Sequence, residues 1–110
     1  MYQKELLKGN TETLLLSLLT EESMHGYRIV REIERRSSGY FQFKEGTMYP
    51  ALHRLEAAGF IIGSWGTGTT GTPRRYYSIT TNGRQMLEER LKEWHRFSSA
   101  VNRIMPAWGS

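Results

Sequence analysis

Apolar residues recur at helical spacing in four stretches of the chain and cluster as in strands in two others. Thr11 to Thr20 holds Leu14, Leu15, Leu16, Leu18 and Leu19, apolar nearly all round, which predicts a buried helix. Ser23 is placed to N-cap a second helix running to about Ser37, with Gly39 as its C′ residue. Ile29 and Ile33 face inward there, and Arg28, Arg31, Arg35 and Arg36 take the outer side. Tyr40 to Phe43 reads as one short strand. In the stretch EGTMYPALHRLEAAGFI, from Glu45 to Ile61, Met48, Leu52 and Leu55 recur at i, i+4, i+7 and define a third helix. Pro50 is tolerated only near a first turn, so this helix starts near Thr47, which can cap it, or slightly earlier with a local bend. Gly59 is its natural C′ residue.

Phe60 to Gly66 and Arg74 to Ile79 are strand-like and joined by GTGTTGTP, a pattern that predicts a β-hairpin with a long loop. Thr80 or Thr81 then caps a last helix of roughly 23 residues ending near Ile104, followed by a loose tail. Helix-turn-helix plus hairpin is the plan of a winged helix, so the fold class expected is mainly α (α+β). Residues 1–80 are expected to form the winged-helix domain, 81–105 a dimerisation helix and 106–110 a flexible tail.

Composition narrows the function classes. A chain of 110 residues suits one domain able to bury its own core. No run of about 18 apolar residues is present, which predicts no membrane span, and MYQKELLKGN lacks the apolar region of a secretory signal. The cytoplasm is the expected location. Zero Cys excludes disulfides and thiolate metal sites, and the net charge of +4 leans toward an acidic partner such as nucleic acid.

The third helix turns Gly46, Pro50, His53 and Ala57 away from its apolar side. That face is slim and nearly uncharged, suited to docking its backbone against a duplex. Thr47, Tyr49, Pro50, His53 and Arg54 are the candidates for reading DNA, the longer ones reaching phosphates and base edges. The plainer alternative has Tyr49 packed over the hairpin and Arg54 paired with a neighbouring acid. Arg74 and Arg75 stand at the base of the loop, where phosphate contacts are expected. GTGTTG also matches G-x-G-x-x-G, but Pro73 and a strand follow it where a dinucleotide site needs a helix. His25, His53 and His95 lie on different elements, so no metal site is expected. Glu21-Glu22 and Glu88-Glu89 are adjacent pairs, which would point apart on a helix and cannot share a substrate, and no catalytic arrangement or cofactor is expected.

Along the last helix Leu87, Leu91, Trp94, Ser98, Val101 and Met105 alternate spacings of four and three, with Phe97 and Ile104 widening the stripe. At 1.5 Å per residue this helix is about 34 Å long, more than a small winged-helix body covers. A dimer interface through Leu87, Leu91, Trp94, Phe97, Val101 and Ile104 is expected, helped by the first helix. A two-fold dimer also suits a palindromic double-stranded operator.

Taken together, LLKGNTETLLLSLLTEESMHGYRIVREI (6–33), GTMYPALHRLEAAGFI (46–61) and GTPRRYYSITTNGRQML (71–87) resemble the PadR family of bacterial transcription regulators. The resemblance implies a winged helix with a C-terminal dimerisation helix, in a repressor that leaves DNA on binding a small effector. Ending after one long helix, the chain resembles the short subfamily. Trp94 falls where some short members stack planar aromatic compounds between two symmetry-related Trp residues, and a Trp sealing a dry interface is the alternative. A winged helix serving protein interaction and a small-molecule-binding dimer without DNA affinity are also compatible with the sequence.

Overall fold

The computed structural model describes residues 9–68 and 71–106. In chain order the elements are α1 (Thr11–Leu19), β1 (Met24–His25), α2 (Gly26–Arg36), α3 (Glu45–Ala57), β2 (Ile61–Gly66), β3 (Arg74–Ile79) and α4 (Thr81–Ile104). The strands make one antiparallel sheet in the order β1-β3-β2. Leu15, Leu16, Leu19, Ile29, Met48, Leu52 and Leu55 from three helices close over Met24, Ile61 and Tyr77 of the sheet, all fully buried. This is a winged helix: α2 and α3 form the helix-turn-helix, and β2–β3 form the wing.

Three local expectations change. Ser23 does not cap α2; its hydroxyl bonds the Ser78 hydroxyl at 2.8 Å. The cap is His25, whose Nδ1 accepts from the Arg28 N–H at 3.2 Å. The short strand is Met24–His25, and Tyr40–Phe43 is irregular. The aromatics of that segment pack on one another instead. The Tyr40 and Phe41 rings meet edge-on with centroids 5.0 Å apart, the Phe41 and Phe43 rings lie 6.3 Å apart, and Phe43 is buried in the core.

At the end of α2 the C′ residue is Ser38, at φ +52°, and Gly39 follows it at φ +81°. The Gly39 N–H closes the turn on the Glu34 carbonyl at 2.8 Å. Helix α3 begins at Glu45, the earlier of the two expected starts, so Thr47 is helical and not a cap. Pro50 therefore lies beyond the first turn, and the bond an N–H there would make to the Gly46 carbonyl is missing. Both residues are exposed, so water can satisfy that carbonyl. Gly59, at φ +82°, ends α3 as expected.

Thr80 joins the wing to α4. Its hydroxyl accepts from the Gly83 N–H at 3.0 Å and donates to the Gly59 carbonyl at 2.7 Å, and its N–H donates to the Phe60 carbonyl at 3.0 Å. Only the first turns of α4 are buried in the subunit, at Gly83 and Leu87. Leu87, expected at a dimer interface, belongs instead to the subunit's own core. The physical reason is that the body covers the base of α4. Beyond it Leu91, Trp94, Phe97 and Ile104 are exposed and Val101 is half-buried. Residues 107–110 of the expected tail lie outside the described residues.

Candidate nucleic-acid interface

Helix α3 turns Met48, Ala51, Leu52 and Leu55 into the core, which fixes the opposite face outward. Gly46, Thr47, Pro50, His53 and Arg54 are exposed on that side. Tyr49 is half-buried and packs on the core. A Cβ at Gly26 would lie 2.7 Å from the Tyr49 hydroxyl, so Gly26 is what lets α2 and α3 approach so closely.

The wing brings its arginines to the same side. Arg74 pairs in register with Gly66, and Arg75 with Trp65. The Arg75 guanidinium crosses the strand over Gly63, where any Cβ would collide with it, and donates to Glu56 on α3 at 2.7 Å. Arg75 thus braces the wing against α3. Arg74 lies 6.0 Å from the Tyr27 ring centroid, and no carboxylate pairs with it among the described residues. Tyr49, His53, Arg74 and Arg75 border one concavity of about 400 Å³ together with His25, Tyr27 and Trp65. Thr47, Pro50 and Arg54 lie on the same helix outside it. Arg54 donates through Nε to Glu12 at 3.3 Å, the acid pairing anticipated as its plainer role.

Sequence reasoning missed His25, Tyr27 and Trp65. The signal available for Trp65 was a large aromatic on a short strand, and in the fold it is 71% exposed. Tyr27 follows His25-Gly26 at the head of α2, and its hydroxyl accepts from Arg31 at 2.9 Å. The outer arginines of α2 are mostly neutralised: Arg28 pairs with Glu22, Arg35 with Glu32, and Arg36 with Glu21 and Glu32. Hydrogen bonds from Arg35 and then Arg36 pull the Glu32 carboxyl down to about 2. Burial, followed by the charges of Arg74 and Arg28, holds His25 below its ordinary value.

A second concavity, of about 330 Å³, lies between the start of α1 and the middle of α4. Trp94, Phe97, Arg90 and Glu93 line it, and the Trp94 and Phe97 rings are 6.0 Å apart at 36°. Among the described residues no group of three or more His, Cys, Asp or Glu could hold a metal ion. No described helix is long and apolar enough to cross a membrane. The GTGTTG loop leads into strand β3, where a pyrophosphate site would need a helix N-terminus.

A helix-turn-helix whose second helix shows a slim outer face, flanked by a basic wing, defines a winged helix of the transcription-regulator class. The model of the transcriptional regulator PadR-like family matches residues 15–89, and the chain belongs to that family. An uncharacterised protein from Lysinibacillus sphaericus is 33% identical over 105 residues, 96% of each chain. A transcriptional regulator from Mycobacterium tuberculosis is 30% identical over 86 residues, 78% of this chain and 77% of that one. Among solved structures, a transcriptional regulator from Clostridium thermocellum superposes with a TM-score of 0.85 at 31% identity, covering 93% of this chain and 99% of the other. A PadR-like transcriptional regulator from Bacillus cereus gives 0.83 at 29% identity, covering 94% and 98%.

Proposed function

We propose that this chain is a cytoplasmic homodimeric repressor of the short PadR type, which binds a palindromic double-stranded operator and leaves it on binding a small effector. The observation that carries the reading is the exposed first half of α3 beside Arg74 of the wing. Thr47, Pro50, His53 and Arg54 lie against the major groove, with Tyr49 behind them, and Arg74 and Arg75 approach the flanking backbone. The uncovered stripe of α4, from Leu91 through Trp94, Phe97, Val101 and Ile104, is the dimer surface. Two-fold symmetry then sets half-sites about 10 bp apart or a multiple of that. The effector is a planar aromatic compound stacked on Trp94.

Selection of a duplex from a random pool, followed by anisotropy titrations, tests the reading. Arg54→Ala should cost on the order of 1–3 kcal/mol on the selected duplex if Arg54 reads a base. Arg74→Ala should weaken all duplexes similarly and flatten the salt slope by about 0.9 for each phosphate no longer neutralised. Failure of the pool to converge on any sequence would refute specific DNA binding. Quenching of Trp94 by a planar dye without DNA affinity would favour a small-molecule-binding dimer.

A further inference from the structure

Glu12 on α1 divides its carboxylate between two arginines on different helices. Its Oε1 accepts from Arg54 Nε on α3 at 3.3 Å, and its Oε2 accepts from Arg90 Nη2 on α4 at 3.5 Å. The first bond engages only Nε of Arg54. Both Nη groups, on a side chain 62% exposed, have no protein acceptor among the described residues. A guanidinium held at Nε presents its remaining fork in a restricted orientation, suited to two parallel bonds with a base edge or phosphate. Arg90 lines the concavity beside Trp94 and Phe97, and its own Nε is buried without an acceptor among the described residues.

We infer that Glu12 is a positioning residue for DNA reading: it orients the Arg54 fork and, through Arg90, links the α4 concavity to α3. The inference rests on the reading of Arg54 as a DNA-contacting residue. The Arg54–Glu12 pair is exposed and adds little to stability, so its consequence lies in where Arg54 points. Whatever displaces Arg90 from Glu12 also alters the restraint on Arg54.

The test compares two duplexes, one selected by the wild-type chain from a random pool and one shuffled from it. Glu12→Gln removes a negative charge, so the shuffled duplex should bind as well or more tightly. The selected duplex should bind more weakly, and the selected-to-shuffled affinity ratio should fall about tenfold. Arg90→Met should lower the same ratio, and the double variant should lower it no further than Glu12→Gln alone. If Glu12→Gln melts too low to assay, Glu12→Asp, one methylene shorter, is read by the same ratio. An unchanged ratio in the Glu12 variant, or equal tightening on both duplexes, overturns the inference. Additive effects of the two substitutions overturn the link through Arg90. Arg54→Ala separates the layers: if it leaves the ratio unchanged, the DNA reading of Arg54 fails first. If it lowers the ratio while Glu12→Gln does not, only the positioning role fails.

Discussion

Gly83→Ala should destabilise the protein although Gly83 lies in a helix, where alanine is ordinarily the better residue. A methyl there would sit well inside van der Waals distance of the Phe60 carbonyl oxygen, 3.0 Å from the carbonyl carbon and 2.8 Å from Ile79 Cγ1. Backbone cannot give way as a flexible side chain does. Either the Phe60 carbonyl turns and loses the Thr80 N–H, or α4 lifts from the wing and opens the packing at Leu87. The first route costs about 1–3 kcal/mol for an acceptor left unsatisfied. The second costs about 1–3 kcal/mol, typical of overpacking. Helix propensity returns about 1 kcal/mol. With both routes partly taken, the net is about 2 kcal/mol, or a melting temperature lower by roughly 9 °C for a chain of this length. Circular dichroism melts at one fixed protomer concentration measure it, since a dimer's transition depends on concentration. Gly46→Ala is the control: nothing lies within 4 Å of its Cβ, so it should be neutral or stabilising. A Gly83→Ala protein melting at or above wild type would refute the reasoning.

Leu91→Glu with Val101→Glu should give a folded monomer by light scattering at tens of micromolar, and a persisting dimer would exclude the α4 surface. Trp94→Ala should abolish quenching-detected binding of planar dyes while dimer and DNA affinity persist; dissociation instead would make Trp94 a core residue. His25 is held below its ordinary 6.5 and caps α2 only while Nδ1 is unprotonated. Its contribution is therefore complete above about pH 6.5 and lost as pH falls toward the folded-state value, because the unfolded chain takes up the proton first. Burial and the charges of Arg74 and Arg28 lower His25, and His25→Asn keeps an acceptor without titrating, so it should flatten the acid limb of melting temperature against pH; an unchanged limb would contradict the lowered His25 value.

Long periodic segments are legible because one face of each must be buried: α1, α3, the wing and α4 stand close to where the apolar pattern places them. Elements made by distant partners are not. Strand β1 is two residues long and exists only because Met24 and His25 pair with Tyr77 and Tyr76. Tyr40–Phe43 has strand-like composition but joins no sheet edge, and its rings pack on one another. The stripe on α4 is visible in the sequence, but not the point at which the body stops covering it, so period alone gives Leu87 to a partner it does not need. The same limit applies to the site. The slim face of α3 follows from period alone, whereas the partners of Arg54 and Arg75 are Glu12 and Glu56, 42 and 19 residues away. Helical period tells which side a charge occupies; only the packed fold tells which opposite charge meets it. The two arginines consequently differ in a way their sequence context hides. Arg75 is held to α3 from within the wing, while Arg54 is tied only through Nε, and its two Nη groups have no protein acceptor among the described residues.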